Sequence, residues 1–146
     1  MPMVWQSDKI WLAKPVEGVR ILVVDDEPAL LESMRSYLSR LGHKVMAFRN
    51  AAAAWESLIS DALPPTVVIV DLTLQGMSGG EFIRRVLARN PSIAVLATSG
   101  YPEPLASLGL PPGARAAMLQ KPFTPRMLDE ALEQLLGSDH GAYAPE

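Results

Sequence analysis

Side chains able to do chemistry follow apolar runs at four places in the chain. Asp25, Asp26 and Glu27 come after RILVV, Asp71 after VVIV, Thr98 and Ser99 after IAVLA, and Lys121, with Pro122 behind it, after AAMLQ. Carboxylates gathered at one place repel, so a cluster of two or three requires a cation or a retained proton. An all-oxygen donor set without thiolate or paired imidazole fits Mg²⁺, with Mn²⁺ as the alternative, better than zinc. A lysine and a hydroxyl beside such a carboxylate supply the positive charge and donors that a transferring phosphoryl group requires. Phosphoryl transfer to a carboxylate is the chemistry these residue types support, and Asp71 is the nucleophile in that reading.

These groups work together only if the segments before them are neighbouring strands. Short β-rich runs at 20–24, 44–48, 66–70, 93–98 and 114–119 alternate with helical patterns, which predicts a parallel sheet with helices on both faces. The first and third runs are almost solid Val, Ile and Leu, as central strands buried on both faces should be. Ligands of such sheets sit beyond the carboxyl ends of the strands, where all the reactive residues fall. Leu30, Leu31, Met34, Leu38 and Leu41 predict a first helix that opens at Pro28 and stops at Gly42. Trp55, Leu58, Ile59 and Ala62 mark a second behind Asn50, with Trp55 read as core. Phe82, Ile83, Val86 and Leu87 mark a third after Gly79 and Gly80. Met127 to Leu136 form the last, opened by Thr124 and Pro125 and closed by Gly137. Six of the 13 prolines fall between Pro102 and Pro125, so only a short fourth helix fits, around 104–108.

Composition bounds the alternatives. The chain has 146 residues, 49% hydrophobic and 20% charged, which predicts one globular domain. With 16 acidic against 13 basic residues, the formal charge of −3 gives no electrostatic footprint for nucleic acid or an anionic membrane. Absence of cysteine excludes disulfides, thiolate metal sites and a cysteine nucleophile. His43 and His140 stand far apart beside glycines and are read as surface-turn residues. No run reaches the roughly 20 apolar residues of a membrane helix, and the N-terminus lacks a signal-peptide pattern, so a cytoplasmic location is expected.

VVDDE at 23–27, VDLTLQGMSG at 70–79, ATSGY at 97–101 and LQKPF at 119–123 together resemble the receiver domain of two-component response regulators. Any one of these motifs is weak, whereas their joint order and spacing over residues 19–137 is specific. The resemblance implies a flavodoxin-like, CheY-like, doubly wound five-stranded sheet of order 2-1-3-4-5, an order for which chemotaxis receivers are a standard example. It implies Asp71 as phosphoacceptor, Asp26 as the main metal carboxylate, Asp25 assisting, and the Thr73 backbone carbonyl completing the protein's share of the Mg²⁺ shell. Ser99, followed by the small Gly100, matches the switch hydroxyl, with Thr98 the competing assignment. Lys121 pairs with a phosphoryl oxygen in that scheme, and the Lys121–Pro122 peptide is cis. Thr73 and Tyr101 occupy positions flanking the path of hydrolytic water, and a bulky Tyr101 implies slow loss of the phosphoryl group.

The sequence departs from the pattern at Met118, where receivers often carry Tyr or Phe coupled to the switch hydroxyl, and at Gln75, where proline is frequent. The partners implied are a histidine kinase or histidine phosphotransfer protein upstream. A downstream protein is expected at the face of the fourth helix, fifth strand and fifth helix, with a homodimer as a further assembly. SGYPE followed by LQKPF has the flavour of receivers attached to hybrid histidine kinases. The function so implied is that of a switch rather than an enzyme. Two alternatives stand beside it. One is a degenerate receiver that binds partners without phosphorylation. The other is a phosphatase with an aspartate nucleophile, disfavoured because Thr73 stands where its second aspartate belongs. Residues 1–18, with Trp5, Ile10, Trp11 and Leu12, read as an N-terminal extension or linker, and 138–146 as a tail.

Overall fold

The computed structural model describes residues 18–137, so His140 and the apolar side chains of the N-terminal extension lie outside the described residues. Five strands, β1 (Arg20–Val24), β2 (Lys44–Phe48), β3 (Val67–Asp71), β4 (Ala94–Ser99) and β5 (Ala116–Gln120), form one parallel sheet in the order β2-β1-β3-β4-β5. Helices α1 (Pro28–Arg40), α2 (Ala51–Ser60), α3 (Gly79–Arg89) and α4 (Pro125–Gly137) complete the doubly wound architecture. The fourth helical segment is a single 3-10 turn, Leu105–Leu108, ending at Gly109 in the left-handed region with φ of 64°. Prolines at 102, 104, 111 and 112 leave too few backbone donors for a longer helix.

Alternation along the strands divides the core in two. Leu22, Val24, Val68, Val70, Val95 and Ala97 face α2, α3 and the 3-10 turn, where Phe82, Ile83, Val86 and Leu108 meet them. Ile21, Val23, Val67, Ile69, Ala94 and Leu96 face α1 and α4, packing on Leu31, Met34, Leu38, Leu128 and Leu132. Both faces of the central strands are therefore buried, as their unbroken apolar sequence predicts. Trp55 packs at the edge of the first cluster, with the Arg85 guanidinium 5.9 Å from its ring centroid.

The helix starts follow their capping residues. Asn50 accepts a hydrogen bond from Ala53 N–H and Ser78 accepts one from Glu81 N–H. Thr124 does the same for Met127 N–H at the start of α4.

Three strands, β3, β4 and β5, both start and end later than expected. All end one residue later and so include Asp71, Ser99 and Gln120. Apolar patterning locates a strand only to within a residue or two, whereas backbone pairing ignores the side chain. Asp71 is in register with Thr98, and Ser99 with Gln120. β5 starts later than expected because Ala114 N–H bonds back to Pro111 in a turn that holds Gly113 at φ 84°. His43 corrects a second expectation: it is buried, and its Nδ1 accepts a hydrogen bond from Val19 N–H at 3.2 Å.

Candidate functional site

Strand order brings the reactive residues together. β1, β3, β4 and β5 are consecutive neighbours, so the residues at or just after their carboxyl ends share one edge. Backbone bonds continue past the strands and hold this edge in place. Asp25 N–H reaches Phe48 O at 3.1 Å, Leu72 N–H reaches Thr98 O at 2.8 Å, and Lys121 N–H reaches Ser99 O at 2.8 Å.

Asp25, Asp26 and Asp71 each present a carboxylate oxygen within 4.8 Å of the others. Asp25 and Asp71 are buried, whereas Asp26 is exposed. Asp25 Oδ1 accepts a hydrogen bond from Glu27 N–H at 2.9 Å, while Asp25 Oδ2, fully shielded from solvent, lies 3.0 Å from Lys121 Nζ. Asp71 Oδ1 accepts from Thr73 N–H at 2.9 Å and from Thr73 Oγ1 at 2.8 Å. Asp71 Oδ2 faces Lys121 Nζ at 3.2 Å. The Lys121–Pro122 peptide is cis, as the motif implies.

Electrostatics follow from this crowding. Burial pushes the Asp25 carboxyl above its ordinary value, against partial relief from Glu27 N–H and Lys121. Burial alone would lower the Lys121 pKa, yet its hydrogen bonds and charge pairing with Asp25 and Asp71 outweigh that and hold the ammonium above its usual range. Lys121 is therefore a permanent cation among carboxylates that exceed it in number. A cluster of hard oxygen donors, two buried and one open to solvent, with charge left over, fits a divalent cation such as Mg²⁺.

The two hydroxyl candidates are both buried. Thr98 is the register partner of Asp71, and Ser99 ends β4 with its Oγ accepting a hydrogen bond from Tyr101 N–H at 3.1 Å. Met118 sits half-buried against the cluster beneath α3 and the 3-10 turn. Tyr101 is 70% exposed. The sequence places Glu27 among the strand-end carboxylates without assigning it a role, and its Oε1 is 3.2 Å from Lys121 Nζ. Its position beside the aspartate pair was the available signal, but nothing in the sequence tells that its side chain turns toward a residue 94 positions away.

The arrangement agrees with known proteins. Residues 21–133 match the family model of the response regulator receiver domain. The chain is 32% identical to the chemotaxis protein CheY1 of Helicobacter pylori strain J99, over 83% of this chain and 99% of that one. It is also 32% identical to a CheY homolog of Campylobacter jejuni, over 88% and 100% of the two chains. Among solved structures, a response regulator receiver protein from Sinorhizobium medicae superposes with a TM-score of 0.73 at 34% identity, over 84% of this chain and 97% of that one. A family model spanning most of the chain, relatives matched over nearly their whole length and a shared sheet order agree with the acidic edge: this chain belongs to the response regulator receiver family.

Proposed function

We propose that this chain is a phosphoacceptor receiver in a two-component or phosphorelay system, taking a phosphoryl group onto Asp71 from a histidine kinase or histidine phosphotransfer protein. The observation that carries this reading is the cluster of the Asp25, Asp26 and Asp71 carboxylates with a lysine set against it, Asp25 Oδ2 and Asp71 Oδ2 lying 3.0 and 3.2 Å from Lys121 Nζ. Asp25, Asp26, Asp71 and the Thr73 carbonyl would hold Mg²⁺ or Mn²⁺, which when bound screens the carboxylates and the charge of the incoming phosphoryl group. The chain's own residues do the rest. Thr73 fixes the orientation of Asp71 through two hydrogen bonds to Oδ1, and Lys121 stands ready to pair with a phosphoryl oxygen. Thr73 and Tyr101 flank the approach of hydrolytic water.

Ser99 is the switch hydroxyl in this reading, supported by its bond to Tyr101 N–H, which ties any movement of Oγ to the loop carrying the 3-10 turn. The altered face, formed by the 3-10 turn, β5 and α4, would bind a downstream protein or a second copy. A net charge of −3 favours a protein partner over nucleic acid or membrane, and we place the chain in the cytoplasm. Phosphotransfer profiling against the histidine kinases of the source organism tests this. The wild-type chain should accumulate an acyl phosphate, and Asp71→Ala should take up none. Equal labelling of both would remove Asp71 from its role, and no labelling by any donor would favour the degenerate receiver.

A further inference from the structure

We infer that Glu27 is the resting partner of Lys121 and thereby restrains phosphorylation of Asp71; this rests on the reading of Asp71 as phosphoacceptor. Lys121 Nζ is shared by three carboxylates, at 3.0 Å from Asp25 Oδ2, 3.2 Å from Asp71 Oδ2 and 3.2 Å from Glu27 Oε1. Asp25 and Asp71 are fixed by burial and by backbone hydrogen bonds. Glu27 is not: its side chain is 62% exposed. It occupies the N-cap position of α1 with no side-chain bond to the first turn, and its carboxylate reaches across to Lys121 instead. Glu27 and Lys121, with Leu30, Gly100, Pro122 and Phe123, line one open cleft.

Phosphorylation changes the charges that Lys121 must serve. With acetyl phosphate as donor, an Asp71 oxygen forms a bond to phosphorus as the bond from phosphorus to the acetate oxygen breaks, and acetate departs with that electron pair. No proton is required. Asp71 exchanges a single negative charge for about two at neutral pH. Lys121 must turn toward the phosphoryl oxygens, and Glu27 opposes this twice, by holding the ammonium and by repelling the phosphoryl group. Glu27 is the one exposed member of the three carboxylates on Lys121, so it can be removed without uncovering a buried charge.

The test compares wild type, Glu27→Gln and Glu27→Ala at saturating Mg²⁺ with acetyl phosphate, following phosphoprotein by gel retardation. Both variants should label about threefold faster or more at low salt, the scale of one nearby surface charge. The advantage should shrink toward unity near about 1 M salt, where the screening length is about 3 Å. A wild type that labels while both variants match it or lag overturns the role of Glu27 alone. Faster labelling that salt leaves untouched also overturns it, because a merely structural effect would not be screened. A wild type that takes no label overturns the phosphoacceptor reading and this inference with it.

Discussion

At the scale of single residues, the site trades stability for charge. Asp25 is buried, and burial raises its pKa above the ordinary 3.8. A carboxyl held higher in the folded than in the unfolded chain adds stability below the unfolded value and loses it as pH rises through the folded value. With its carboxyl ionised, Asp25 therefore costs stability, relieved in part by Lys121 at 3.0 Å. Asp25→Asn keeps an oxygen to accept the Glu27 N–H bond and removes the charge. Urea unfolding at pH 7 without divalent cations should show the variant more stable by about 1 kcal/mol, with the gain shrinking toward pH 4. Added Mg²⁺ should stabilise wild type more than the variant, which keeps Asp26 and Asp71 but has lost one of the three carboxylates. A variant less stable than wild type at pH 7 would show that the ion pair with Lys121 outweighs desolvation.

At the scale of elements, close packing at the head of α3 couples that helix to the phosphoacceptor strand. A Cβ placed on Gly79 would lie 2.3 Å from Asp71 O and 2.8 Å from Leu72 Cα, both backbone atoms that cannot swing aside. Gly79→Ala should thus cost about 1–3 kcal/mol in urea unfolding and slow labelling of Asp71, since the strand end must shift to admit the methyl group. Full stability together with full labelling would show that the edge is softer than this contact implies. The glycine pair at 79 and 80 was legible as a helix start, but its reason was not, because the contact joins segments that hydropathy treats separately. The same limit applies to the strand ends. Apolar runs locate β1 to β5 and the motifs locate the reactive residues, whereas inclusion of Asp71 and Ser99 in their strands depends on cross-strand bonds. The proline cluster did foretell the short fourth helical segment, because loss of backbone donors is a local property. What the prolines do not disclose is that Arg84 Nη1 fastens this turn to α3 through Leu108 O at 3.1 Å.

At the scale of the whole molecule, the two ends of the sheet carry different duties. The carboxyl edge holds the candidate chemistry, while the opposite edge ties the start of β1 to the turn between α1 and β2. There Val19 N–H donates to His43 Nδ1 at 3.2 Å, Lys44 N–H donates to Val19 O at 2.9 Å, and His43 N–H donates to Leu38 O at 3.2 Å. A glycine-flanked histidine looked like a surface residue because sequence does not show that β1 and β2 begin side by side. Burial lowers the His43 pKa below the ordinary 6.5, and the charge of Asp129 only partly opposes this. A histidine held lower in the folded chain adds stability above the unfolded value and loses it as pH falls through the folded value. A protonated Nδ1 also cannot accept the Val19 bond. Between pH 7 and about pH 5, wild type should lose about 1 kcal/mol more unfolding free energy than His43→Asn, whose amide oxygen occupies the place of Nδ1 and can accept that bond without titrating. At pH 7 the variant should label on Asp71 at the wild-type rate, because His43 belongs to the other end of the sheet. Parallel stability profiles would remove His43 from the acid response, and slowed labelling would show that the two ends are coupled through the buried strands between them.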